Sequence, residues 1–177
     1  MLPPSASPFA CRGYRFASLV GAIVIVLDQL TKYLAMTHIP MTEPIAVIPG
    51  FFNLVNIRNR GAAFGFLNRS DIDWQVWLFA GATMLAIGAI WALIRSWPRY
   101  SPALYTGLGL VLGGALGNMI DRIRFRAVVD FLDFYIAYWH WPAFNVADIA
   151  ICVGALLACL LLWHTPTTHT GSRRIPS

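Results

Sequence analysis

Four long apolar stretches, at about 16–37, 74–95, 103–123 and 146–164, constrain this chain more than any other feature it has. Each is close to the roughly 20 residues that an α-helix needs to cross a hydrocarbon core about 30 Å thick. A bilayer offers no water to backbone N–H and C=O groups, so these stretches are expected as helices that close their hydrogen bonds internally. With 58% hydrophobic and 12% charged residues, the chain departs from ordinary soluble domains, which are about 25% charged.

The 177 residues leave no room for a separate soluble domain of any size, and the whole chain, 1–177, reads as one membrane-embedded domain. Four spans put both termini on one side. Arg12, Arg15, Arg95, Arg99, Arg173 and Arg174 fall on that side without an acid among them, which makes it the cytoplasmic candidate. The opposite side also carries six arginines, at 58, 60, 69, 122, 124 and 126, spread through longer connections together with nearly all the acids. The start of the chain lacks the pattern of a basic region before a short apolar core, and the hydrophobic run that follows is long enough to span, so it reads as a retained helix rather than a cleaved signal.

The net charge of +5 suits contact with anionic lipid headgroups. No basic stripe interleaved with aromatics occurs, so nucleic acid is not an expected partner. Cys11, Cys152 and Cys159 have no metal-ligand spacing and His140, His164 and His169 are scattered; neither a metal nor a cofactor is expected.

The external segments are about 38–73 and 124–145. The first holds a Pro-Gly turn and an alternating stretch from Phe52 to Arg58, which predicts short strands at the membrane surface. The second is aromatic, with Phe131, Phe134, Tyr135, Tyr138, Trp139, Trp141 and Phe144. It is too short and too polar to span and is expected as a short helix lying along the interface.

If the third span runs outward, Asn118, Asp121 and Arg122 lie near its outer end, Asp130 follows in the connection, and Asn145 and Asp148 open the fourth span. The first span adds Asp28 near its middle and Lys32 in its outer half, four residues apart on one face. A charge at mid-membrane costs about 2.5–3.5 kcal/mol on insertion scales, so pairing or contact with a cavity is expected there. Gly109, Gly113 and Gly117 recur every four residues and allow another helix to approach closely. Asp121 and Arg122 suit a structural clamp.

Asp130, Asp133 and Asp148 lie in a stretch, Ala127 to Ser172, that holds no Lys or Arg. Asp130 and Asp148, both close to the membrane surface, could face each other and share one proton, because adjacent like charges do not both ionise easily. Such a pair can hydrolyse a peptide bond, one carboxylate taking a proton from water and the other donating to the carbonyl oxygen. Intramembrane carboxylates serve proton relays and ion pathways of transporters equally well, and up to this point the two readings stand level. A transporter would be expected to show an internal repeat or interrupted helices, and no convincing repeat is visible.

The stretches "DQLTK", "NRGAAFGFL", "GGALGNMIDR", "VVDFLDF" and "PAFNVAD" occur in this order between residues 28 and 148. Together they resemble the successive motifs of the bacterial lipoprotein signal peptidases, signal peptidase II. The resemblance implies an aspartic endopeptidase of the bacterial cytoplasmic (inner) membrane, acting on diacylglyceryl-modified prolipoproteins and cutting just before the lipidated cysteine. It implies a catalytic pair at Asp130 and Asp148. Asp28, Lys32, Asn59, Asn118, Asp121, Arg122 and Asn145 match the family's supporting polar positions, for substrate binding or structure. The implied fold is an all-α integral-membrane one: four transmembrane helices, a small external β-cradle and an interfacial helix over the site. Membrane lipids and lipid-modified prolipoproteins are the expected partners, and the chain is expected to act as a monomer, with its active site near the outer leaflet.

Overall fold

The computed structural model describes residues 8–61, 74–96 and 101–163. Most of the "NRGAAFGFL" motif, from Ala62 on, lies outside the described residues, as do Arg69, Arg99, Arg173 and Arg174. Helices α1 (Pro8–His38), α2 (Trp74–Ser96), α3 (Pro102–Phe125) and α4 (Val146–Trp163) coincide with the four apolar stretches. α1 starts well before its apolar run. All four are long and apolar enough to cross a membrane.

α3 is the central helix, and its glycines decide how closely its neighbours approach. A Cβ on Gly109 would lie 2.6 Å from the Ala17 carbonyl oxygen, one on Gly113 2.6 Å from that of Gly21, and one on Gly117 2.6 Å from Oδ2 of Asp28. The four-residue glycine repeat is therefore the seam against α1, as small-residue stripes are in membranes. Contacts advance together along α1 and α3, so these helices run in the same direction. Gly107 meets Gly154 and Gly114 meets Ala147, so α4 runs the opposite way against a second face of α3. Ser101 caps α3 by accepting the Leu104 N–H, with Pro102 in the first turn.

The apolar core lies toward the start of α3, where Leu104, Tyr105 and Leu108 pack with Ala17, Ile90, Ile94 and Ala158. α2 buries only Gln75, Ile90 and Ile94, while Trp77 and Leu85 are more than three-quarters exposed, the pattern of a helix whose outer face meets lipid rather than protein.

At the far end of α1 and α3 sits an antiparallel sheet in the order β1 (Ile45–Ile48), β2 (Phe52–Asn59), β3 (Val128–Ile136), β4 (Trp139–His140). β1 and β2 are the strands expected from the first external segment. The second external segment is not the expected interfacial helix: residues 128–136 form the long strand β3, paired to β2 from Phe52↔Phe134 to Asn59↔Val128, and 139–140 fold back on it. The aromatic and β-branched side chains that suggested an interface also suit a pleated, half-buried surface, and β2 supplies the partner edge that periodicity cannot see. Ala35, Ile39 and Phe131 pack the sheet onto the end of α1.

Candidate active site

Five elements deliver polar side chains to the junction of helices and sheet: the C-terminal half of α1, the last turns of α3, the turn that opens α4, and strands β2 and β3, which bring Asn59 and Asp130. Asp28, Lys32 and Asp121 are each at most 1% exposed. Lys32 Nζ lies 2.9 Å from Asp28 Oδ2 and 3.0 Å from Asp121 Oδ2, and donates to Asn118 Oδ1 at 2.9 Å. One ammonium with three donors is thus met by two carboxylates and an amide, the satisfaction a buried charge requires.

The two carboxylates also hold backbone. Asp28 Oδ1 accepts the Ala147 N–H at 3.0 Å, in the first turn of α4, and Asp121 Oδ2 accepts the Val129 N–H at 3.1 Å, at the start of β3. Asp121 thus pairs with Lys32 rather than forming the clamp expected with Arg122. The Arg122 guanidinium lies over the Phe79 ring, 3.8 Å from its centre, within electrostatic reach of Asp148, Asp130 and Asp121.

Asn145 is fully buried and joins the two acids of interest. Its Nδ2 donates to Asp130 Oδ1 at 2.7 Å, its Oδ1 accepts the Asp148 N–H at 3.0 Å, and its own N–H donates to Asp148 Oδ2 at 3.2 Å. Asp130 Oδ2 accepts from Asn59 Nδ2 at 3.0 Å, and Asp148 Oδ1 from Asn118 Nδ2 at 2.8 Å. Burial first, and then the negative charge of Asp148, push the Asp130 carboxyl up to about 7, against the opposing pull of the Asn59 and Asn145 hydrogen bonds and of Lys32. A buried carboxyl pushed well above the usual carboxylate range, beside a second carboxyl in the first turn of α4, is the arrangement that acid–base chemistry requires.

Both acids line a cavity of about 480 Å³ together with the polar Asn59, Asn118 and Arg122 and the apolar Ile149, Cys152 and Val153 of α4. A second cavity of about 630 Å³ is lined by residues 40–44 ahead of β1, by β2 and by residues 140–143, and Asp130 and Asp133 line it too. Asn59, Asp130 and residues 141–143 line both.

A family model described as Signal peptidase (SPase) II matches residues 20–164. This chain belongs to the signal peptidase II family. The lipoprotein signal peptidase of Nitratidesulfovibrio vulgaris (strain DP4) is 58% identical over 160 residues, 90% of this chain and 96% of the relative. That of Oleidesulfovibrio alaskensis is 61% identical over 145 residues, 82% of this chain and 92% of the relative. A bacterial membrane enzyme solved by the in meso method at 2.3 Å resolution superposes with a TM-score of 0.73 at 30% identity, over 90% of this chain and 94% of that one. Signal peptidase II enzymes remove signal peptides from prolipoproteins, and family and spans together make this a bacterial inner-membrane protease.

All nine polar residues singled out in the sequence meet in this one region. Three others had been given no role. Gln29 Nε2 donates to Asp121 Oδ1 at 3.0 Å and to Asp28 Oδ2 at 3.2 Å; its polarity inside a span was the available signal. Phe79 supports Arg122. His140 contacts Asp133, a pairing across a hairpin with no local mark in the sequence.

Proposed function

We propose that Asp130 and Asp148 are the catalytic dyad of this signal peptidase II, and that its substrates are diacylglyceryl-modified prolipoproteins cut just before the lipidated cysteine. The observation that carries the reading is Asn145, which donates to both carboxyl groups at the wall of one cavity and accepts the Asp148 backbone N–H as well.

Protonated Asp130 acts as the general acid and ionised Asp148 as the general base. Asp148 takes a proton from water as the water oxygen bonds to the scissile carbonyl carbon, and Asp130 gives its proton to the carbonyl oxygen. The tetrahedral diol then returns a hydroxyl proton to Asp130 while Asp148 passes its proton to the amide nitrogen. The C–N bond breaks, and a free carboxyl and a free amine leave with the dyad restored. Asn59 and Asn118 orient the two carboxyl groups. Arg122, on the same cavity wall, is placed to meet negative charge developing on the substrate.

The cavity suits a substrate anchored in lipid, since Ile149, Cys152 and Val153 of the long apolar helix α4 line it together with both acids of the dyad. In the membrane, this reading puts both termini in the cytoplasm and the dyad near the outer leaflet, with one chain sufficient for turnover. The test compares purified protein on a lipidated and an unlipidated preprolipoprotein: cleavage of the first alone supports the reading, and equal cleavage of both refutes the lipid requirement.

A further inference from the structure

We infer that Asp133 and His140 form a positioning pair that fixes the wall segment 141–143 between the two cavities, and so governs how tightly substrate is held beside Asp130. The inference rests on the dyad reading for what the wall faces, and on the observed contacts of the two side chains for the pair itself.

Asp133 is 6% exposed and no Lys or Arg lies within five residues of it. His140 Nδ1 lies 2.9 Å from its Oδ1 and 3.1 Å from its Oδ2, and Asn53 Nδ2 of β2 donates to Oδ2 at 3.1 Å. The carboxylate therefore ties β2, β3 and β4 together. An ionised carboxylate offers acceptors only, so the contact requires the ring hydrogen on Nδ1. The imidazole is held on its face as well, stacked on Tyr135 at 5.0 Å with planes 10° apart. Tyr135 in turn accepts the Gly50 N–H on its hydroxyl at 2.8 Å.

β4 is two residues long and pairs only with Tyr135 and Ile136. Such a short strand is weakly held by its own ladder, and the side-chain pair adds a further fastening to it. Trp141, Pro142 and Ala143 follow directly and line both cavities. Their ends are fixed by the Trp141 N–H on the Phe134 carbonyl at 2.8 Å and by the Phe144 N–H on that of Leu132 at 3.1 Å. Neither Asp133 nor His140 is hydrogen-bonded to Asp130 or Asp148, so their effect falls on binding that ground state and transition state share, and appears in KM.

The experiment measures kcat and KM on lipidated preprolipoprotein, together with hydrogen exchange of the Trp141 amide, in wild type and in His140→Ala, His140→Asn, Asp133→Ala and the Asp133→Ala/His140→Ala double variant. For His140→Ala we expect KM to rise about tenfold, the scale of one hydrogen bond to a charged group, with kcat within about threefold, and Trp141 exchange to quicken. His140→Asn keeps a donor near the Nδ1 position and should restore both readouts, and the double variant should be no worse than Asp133→Ala alone. Unchanged KM and exchange in His140→Ala, equal losses in His140→Ala and His140→Asn, or effects of the two positions that multiply would each overturn the pairing. Failure of the dyad reading would show separately, as turnover surviving in Asp130→Asn, and the exchange measurement does not depend on it.

Discussion

Asn145 and Asp148 cap the start of α4 reciprocally, the Asn145 side chain accepting the Asp148 N–H at 3.0 Å and the Asp148 side chain accepting the Asn145 N–H at 3.2 Å. This is a capping box built from an amide and a carboxylate. The same contact that starts the helix fixes one carboxylate of the proposed dyad, while Asn145 Nδ2 reaches the other. Local helix energetics and the geometry of the site are therefore one feature.

Asp130→Asn and Asp148→Asn should each lower turnover by several orders of magnitude with the fold retained, because an amide keeps the shape but exchanges no proton. Asp133→Asn should reduce kcat far less. Cleavage of lipidated preprolipoprotein, measured beside substrate binding, checks this; near-normal turnover in either dyad variant would remove that residue from the mechanism.

Turnover should follow a bell-shaped pH profile. On the alkaline side the limb is set by loss of the shared proton, whose carboxyl is pushed up to about 7, and the two limbs belong to the pair. The Asn59 hydrogen bond favours the ionised form of Asp130, so removing it in Asn59→Ala should move the alkaline limb to higher pH. A shift to lower pH would contradict the assignment.

Lys32→Met should destabilise the protein by about 3–5 kcal/mol, because Asp28 and Asp121 would both lose their buried counter-charge. The contacts of those acids to Ala147 and Val129 would weaken with it. Thermal unfolding in detergent is the measurement, and a loss below about 1 kcal/mol would show that the network carries little of the fold.

Gly117→Ala should cost about 1–3 kcal/mol, as overpacking does, since the new methyl would sit 2.6 Å from Asp28 Oδ2, an atom held by Lys32. Gly81→Ala, on α2 with nothing within 4 Å, serves as the control and should leave the unfolding temperature nearly unchanged.

Asp28, Lys32, Asn118, Asp121, Asp130, Asn145 and Asp148 stood out in the sequence by themselves. Charged and amide groups in or beside apolar spans are costly, so each announces a partner. The four spans were equally plain, because a bilayer admits few alternatives to a long apolar helix. What the sequence left open was which group meets which. Lys32 reaches Asp121 across 89 positions because the glycine seam brings α1 against α3. The segment after α3 became a strand because β2 lay beside it, and its helix-like expectation failed because pairing energy resides in a distant edge. Asp133 found His140 only once that hairpin had closed. Span, charge and capping are local properties, fixed by solvation along a few turns of chain. Partner choice depends on which surfaces pack, and that was decided by the tertiary structure.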